Sequence, residues 1–189
     1  MPERHRPLPR SRPLPRCWLL TDERQGAALW PALARLQRGA GVVVRHYGLD
    51  AGARGALITR IRALARRRGL TVVLAGPAED AVRLRLDGVY QHPRRAHRQL
   101  IELATAHDRA ELVAAARRGA DQVLLSPVFA TRSHPGAATL GPVRFGLLAR
   151  HARLPVIALG GMTSDRARRL AALGAHGWAG IDGWGAQAR

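Results

Sequence analysis

Gly160-Gly161 follows directly on the apolar run Val156–Leu159, and Gly180-Ile181-Asp182-Gly183 closes a second short run that begins at Gly177. Glycine lets a ligand come close to the main chain. Backbone amides followed by a helix start, here at Ser164, can hold a phosphate without any cationic side chain. The chemistry that fits such a place is recognition of a phosphorylated small molecule. Four histidines (His46, His92, His107 and His134) also fall at or after the ends of apolar runs. Imidazole titrates near neutral pH and suits proton transfer. No tight His-x-His spacing links the four, so the pattern does not read as a metal centre. Arg45, Arg95 and Arg132 offer a second way to neutralise a dianionic ligand, without metal. Lysine is absent from the chain, which excludes Schiff-base chemistry and a P-loop lysine, because arginine does not act as an amine nucleophile.

These residues need elements to position them, and the chain alternates. Short strands are read over Cys17–Thr21, Gly41–Arg45, Thr71–Ala75, Gly88–Tyr90, Leu100–Ala104, Gln122–Leu125, Val156–Leu159 and Gly177–Gly180. Helices are read between them over Ala27–Arg38, Ala53–Arg68, Glu79–Leu86, Arg109–Arg118, Arg144–Ala152 and Ser164–Leu173, with Leu57, Ile61 and Leu64 as the apolar stripe of the second. Glycine or proline recurs where a helix stops and a strand starts, as at Arg68-Gly69, Arg118-Gly119 and Leu154-Pro155. Strands alternating with helices imply a parallel sheet, and eight such units favour a closed (β/α)8 barrel, the TIM barrel. Such barrels usually run to about 250 residues, whereas this chain has 189. The expected fold is therefore a compact α/β barrel with shortened outer helices, the shortest between Tyr90 and Leu100. The active face of such a barrel is built from the loops after its strands, with phosphate after the seventh and eighth.

Composition sets the limits. The hydrophobic fraction of 47% is that of a globular chain, and no apolar run is long enough to span a bilayer. Cys17 is the single cysteine and reads as a small hydrophobe of the first strand, which together with the lack of disulfides points to the cytoplasm. Residues 1–16 carry five Arg, five Pro and one Glu, and read as a disordered basic tail without the apolar stretch of a secretory signal; residues 17–189 form the barrel. The net charge of +18 rests on arginine alone, which suggests coding bias and a solvated helical exterior. No aromatic-interleaved basic strip or helix-turn-helix pattern accompanies it, so nucleic acid is not an expected partner.

The order of motifs resembles the thiamine phosphate synthase and TenI-type thiazole tautomerase family across nearly all of residues 17–182. Leu19-Leu-Thr-Asp22 is similar to its opening strand and Val44-Arg45 to its "LR" pair. Asp87-Gly-Val89 is similar to "DGVH", and Thr105-Ala-His107 to "SxH". Ser126–Thr131 is similar to "GPvfpT", Ile157–Gly161 to "aIGG", and Gly177–Ile181 to "GvAvis". The resemblance implies a barrel that binds thiazole phosphate or thiamine phosphate at its C-terminal face. Synthases of the family join a pyrimidine pyrophosphate to the thiazole phosphate and release pyrophosphate with help from Mg²⁺. It implies that Arg45 faces pyrophosphate, and that Thr105, Thr131, Ser133, Gly160, Gly161, Ile181 and Asp182 lie around the ligand. His107 is similar to the histidine with which the tautomerase branch moves a proton on the thiazole carboxylate ring. His134 stands in the sixth-strand loop where the family has lysine, and is the second catalytic candidate.

The departures are specific. Val43 and Tyr47 stand for the Gln and Lys of the "QLREK" motif, Ala75-Gly76 for an Asn-Asp pair, Arg95 for a later metal-binding Asp, and Asp182 for a Ser. Leaving pyrophosphate needs its developing charge neutralised, normally by Mg²⁺ on carboxylates together with fixed cations. Mg²⁺ is therefore implied only if synthase activity is retained, and no other cofactor is. The expectation is a diverged synthase or a tautomerase-like isomerase. Its partner would be phosphorylated thiazole or thiamine phosphate, no membrane is involved, and a homo-oligomer is compatible with the sequence. The alternative is a catalytically silent barrel that binds a phosphorylated ligand, a nucleic acid or an acidic partner.

Overall fold

A computed structural model describes residues 13–91, 99–132, 136, 138–182 and 184. Its eight parallel strands close in sequence order into a barrel. They are β1 (Cys17–Leu20), β2 (Gly41–Val44), β3 (Thr71–Leu74), β4 (Gly88–Tyr90), β5 (Ile101–Ala106), β6 (Gln122–Leu125), β7 (Val156–Ala158) and β8 (Gly177–Gly180). Closure is direct, with Trp18 of β1 opposite Gly41 of β2 on one side and Ala179 of β8 on the other. Outside lie α1 (Leu29–Arg35), α2 (Ala51–Arg68), α3 (Ala78–Arg83), α4 (Arg109–Arg118), α5 (Gly141–Arg150) and α6 (Ser164–Ala171). The expected (β/α)8 barrel is thus the fold, and α1 and α3 are indeed short, at seven and six residues.

Alternation along the strands sorts the apolar residues into three cores. Trp18, Val43, Val73, Leu103, Leu124 and Ile157 fill the barrel from six different strands. A second core packs β1–β4 under α1–α3, and a third packs β5–β8 under α4–α6. Side chains rather than a channel therefore occupy the interior, as a barrel of this size requires.

The lower, N-terminal end is plugged by Trp18. Its indole Nε1 donates to Gln122 Oε1 at 3.1 Å, and Gln122 Nε2 donates to the Pro15 carbonyl at 2.8 Å, all buried. Gly41 makes this possible: a Cβ there would stand 2.2 Å from the Trp18 ring. Pro15 and Arg16, assigned from the sequence to the tail, are thus held by the barrel, since Arg16 Nε also donates to the His176 carbonyl at 2.8 Å. The rest of the expected tail, residues 1–12, lies outside the described residues.

Two aspartates explain why strands begin where they do. Asp87 donates its N–H to the Val72 carbonyl and accepts the Val72 N–H on Oδ2 at 2.7 Å. Asp121 repeats the exchange with Glu102, 2.8 Å each way. The Asp of the Asp-Gly-Val segment is thus a clamp between neighbouring strands at the end of the barrel that serves stability.

The boundaries differ from the sequence reading in places with clear physical causes. Asp22 and Gln25 form a capping box that starts a 3-10 turn over Glu23–Ala28, and Gly26 at φ +45° then kinks the chain before α1. Helix α2 buries Ile58, Ile61 and Ala65, while Leu57 and Leu64 are only partly buried. The inward stripe passes one residue beside the leucines. Strand β5 continues through Thr105 and Ala106, and α5 starts at Gly141 because Pro142 fits the first helical turn. The short helix expected between Tyr90 and Leu100 falls mainly on residues 92–98, outside the described residues.

Candidate functional site

The C-terminal ends of the strands carry two different surfaces. The first lies at β6–β8. Gly160 and Gly161 leave β7 at φ +98° and +58°. A Cβ on Gly160 would meet Pro127 Cα at 2.7 Å, and one on Gly161 would meet the Ala130 carbonyl oxygen at 2.4 Å. The two glycines are therefore pressed against the Pro127–Ala130 segment that follows β6, and the Phe129 N–H donates to the Gly160 carbonyl at 3.1 Å. Thr163 then caps α6 by accepting the Arg166 N–H on its side chain. Arg166 reaches back to donate to the Gly161 carbonyl, and its guanidinium lies 4.5 Å from the Phe129 ring centre. The outcome is a rigid turn that runs straight into a helix N-terminus, whose first amides have no partner within the helix.

Ile181 and Asp182 border this surface beyond β8. The Ile181 carbonyl accepts from Gln25 Nε2 at 2.7 Å, and Asp182 pairs with Arg132 at 2.9 Å. Thr131 is described next to Arg132 on the loop after β6. Ser133, His134, His92 and Arg95 lie outside the described residues.

The second surface lies at β1–β4. Arg45, at the end of β2, donates through Nε to the Thr21 carbonyl at 2.9 Å and through Nη2 to Asp22 Oδ2 at 2.8 Å. Asp22 also accepts Arg24 Nε on Oδ1 at 2.7 Å. The hydrogen bond from Arg24, helped by the charges of Arg24 and Arg45, holds the Asp22 carboxyl below the usual carboxylate range. Of the three expected arginines, Arg45 is tied to Asp22 and Arg132 to Asp182, and Arg95 lies outside the described residues.

Beside them, the Thr21 hydroxyl accepts the Arg45 N–H at 3.0 Å and lies 2.9 Å from Nδ1 of the buried His46. Donation of the hydroxyl proton to Nδ1 fits a neutral imidazole, and burial lowers the pKa of His46 below 6.5. As pH falls through about 6.5 the unfolded chain takes up a proton that the folded chain refuses, so stability is lost from there down to the folded pKa. His46→Asn, which tolerates the local φ of +41°, is expected to flatten this step. Melting temperatures at pH 7.5 and 5.5 test it; an unchanged difference between the two would contradict the assignment.

A cleft of about 770 Å³ opens between the ends of β2, β3 and β4, lined by Tyr47, Arg54, Gly76, Glu79, Tyr90 and Gln91 among others. Burial pushes the Tyr90 phenol up to about 12, so it stays protonated at neutral pH. Gln91 donates to Thr105 Oγ1 at 2.5 Å, which ties the Thr105 candidate to the rim of this cleft. Arg54 and the two tyrosine walls were not singled out as ligand groups by the sequence. The available signal for Arg54 was an arginine one turn into the helix after the second strand, behind the Asp50 cap.

His107 stands just beyond β5 at the start of α4. Glu111 Oε2 accepts both its backbone N–H at 2.8 Å and a bond to Nδ1 at 2.9 Å. The ring is more than half exposed and its orientation is set by that carboxylate.

Mg²⁺ takes oxygen ligands, usually carboxylates with substrate phosphates. The strand end that would supply them is Ala75-Gly76, and the cleft offers Glu79 as its one carboxylate among the described residues. No group of three or more His, Cys, Asp or Glu is close enough to hold a metal ion among the described residues. Among the described residues, the donor set at this strand end is thus a poor one for the ion, a single rim carboxylate.

The comparisons with known proteins agree with this geometry at the level of family. The chain is 29% identical over 179 residues to a candidate second thiamine-phosphate synthase of Aquifex aeolicus, covering 89% of this chain and 96% of that one. It is 31% identical over 143 residues to the thiamine-phosphate synthase of Geobacillus thermodenitrificans, covering 68% and 63% of the two. Thiamine phosphate pyrophosphorylase from Pyrococcus furiosus shares the fold, with a TM-score of 0.75 at 23% identity over 88% of this chain and 85% of that one. No described helix is long and apolar enough to cross a membrane. The thiamine monophosphate synthase family model matches residues 19–183, from the first strand to beyond the last, and the chain belongs to that family.

Proposed function

We propose that the barrel binds a phosphorylated thiazole at its C-terminal face and acts as a diverged thiamine phosphate synthase, a transferase that joins a pyrimidine pyrophosphate to thiazole phosphate and releases pyrophosphate. The observation that carries the reading is the turn at Gly160-Gly161. Two left-handed glycines packed on the Pro127–Ala130 backbone lead into the capped start of α6. Amides fixed in this way can hold a phosphate without reorganising when it arrives. Arg132 offsets the charge of Asp182 at the rim, so the acid that stands for a serine does not repel the ligand unopposed.

A second reading keeps the tautomerase branch, and His107 supports it. Its Nδ1 bond to Glu111 fixes the tautomer and leaves Nε2 as a proton carrier at the same face of the barrel. One pair of assays separates the two. Purified protein is incubated with both synthase substrates, with and without Mg²⁺, and then with thiazole carboxylate phosphate alone. Formation of thiamine phosphate supports the transferase. Turnover in the second assay alone assigns the isomerase, and turnover in neither leaves a binding protein.

A further inference from the structure

We propose that the lower face of the barrel, opposite the glycine turn, binds duplex nucleic acid through its phosphate backbone. Helices of a (β/α)8 barrel run back against the strands, so their C-termini all open on the end that Trp18 plugs. The last turns of all six helices carry arginine, ten in all and three of them in α2. Of these, only Arg83 and Arg168 form ion pairs among the described residues, each with an aspartate of its own helix. Acids gather at the other end, with Asp22, Asp50 and Asp108 as caps and Glu111 and Asp165 in first turns. Those described at the lower end are engaged: Asp87 and Asp121 hold the strand clamps, and Glu102 is buried.

The charge is densest where α1, α2 and α3 end. Arg68 Nη2 donates to the Leu36 carbonyl at 3.1 Å, and Arg62 Nη1 donates to the Leu84 carbonyl at 2.7 Å. A Cβ on Gly69 would stand 3.1 Å from Arg38 Cγ. The three helix ends are thus drawn together, with Arg35, Arg38, Arg66, Arg67, Arg68 and Arg85 exposed on them. A helix C-terminus amounts to about half a negative charge, which one arginine more than offsets. A second and a third at the end of α2 add little against the dipole and repel one another. The cluster therefore exceeds what the helices call for. Guanidinium forks match phosphate oxygens. A protein partner would want an apolar centre, and Val82 is the one exposed large apolar side chain on α1–α3 among the described residues. Trp30 on α1 is covered by Arg60, 3.7 Å from its ring centre, which leaves unpaired bases no open ring to stack on there. A duplex, read by its backbone alone, fits this surface best. The sequence shows no basic strip because these arginines, spread from Arg35 to Arg85, meet only in the fold.

The site stands apart from the thiazole phosphate turn and holds or fails without it. Fluorescence anisotropy with a labelled random-sequence DNA duplex over a salt series tests it. Saturable binding is expected, with log K falling against log salt at a slope of about −4 or steeper, each neutralised phosphate contributing about −0.9. Arg66→Gln combined with Arg67→Gln is expected to weaken binding at least tenfold and to flatten the slope by about 2. Arg109→Gln combined with Arg144→Gln removes the same charge from the upper halves of α4 and α5, and is expected to change affinity less than threefold. None of these four side chains makes a hydrogen bond or an ion pair among the described residues, so both variants are expected to melt with the parent. Equal effects of the two double variants, or no saturable binding, overturn the proposal. Displacement of the duplex by thiazole phosphate would put it on the upper face, and tighter binding of poly-glutamate than of the duplex would assign the lower face to an acidic protein; either result also overturns it.

Discussion

Gly161→Asp is expected to lower affinity for thiazole phosphate at least 100-fold, about 2.8 kcal/mol of binding energy. Two effects add. Gly161 sits at φ +58° with no room for Cβ against the Ala130 carbonyl, so any side chain must displace the turn. Aspartate also brings a negative charge to amides that are read here as phosphate donors. Gly161→Ala isolates the first effect and is expected to cost more than the ~1–2 kcal/mol penalty of a non-glycine residue in the left-handed region, because its Cβ also meets the Ala130 carbonyl. Calorimetry on both variants, beside thermal melts, separates strain from charge. If Gly161→Asp binds as the parent does, the phosphate is held elsewhere.

Trp18→Ala is expected to cost about 3–5 kcal/mol of folding free energy, the range for truncating a large core aromatic. Trp18 has no solvent exposure and plugs the lower end of the barrel. Its loss opens a cavity beneath Val43 and Leu124 and takes from Gln122 Oε1 the indole hydrogen bond it accepts. Gly41 cannot fill the space because it has no side chain. A domain stabilised by roughly 5–15 kcal/mol would lose a large share of its stability. Urea unfolding measures the loss, and a change below about 1 kcal/mol would mean that the indole is not the plug described here.

Much of the scaffold was readable because its signals are local. Glycines at 69 and 119 end α2 and α4 in left-handed caps, and the strands that follow are short apolar runs. The alternation of these units was enough for the barrel. What escaped the sequence depends on contacts across the fold. The stripe of α2 runs through Ile58 and Ala65 instead of Leu57 and Leu64, because the barrel, not the volume of the side chains, decides which flank faces in. Arg45 looked like a free ligand group, but its partners Thr21 and Asp22 arrive from β1. Arg54 was one basic residue among 31. Only the carbonyls of Arg45 and Ala75, which it meets at the ends of β2 and β3, set it apart. The Gly160-Gly161 turn was legible as a tight turn, yet its cause, the backbone of Pro127–Ala130 lying behind it, is tertiary.

A crystal structure of the full chain grown with thiazole phosphate would locate the bound phosphate. The phosphate is expected within hydrogen-bonding distance of backbone amides at Gly161 and the first turn of α6, with the thiazole ring over the mouth of the barrel. A phosphate seated on Arg54 in the β2–β4 cleft, with the Gly160-Gly161 turn free of ligand, would contradict this placement.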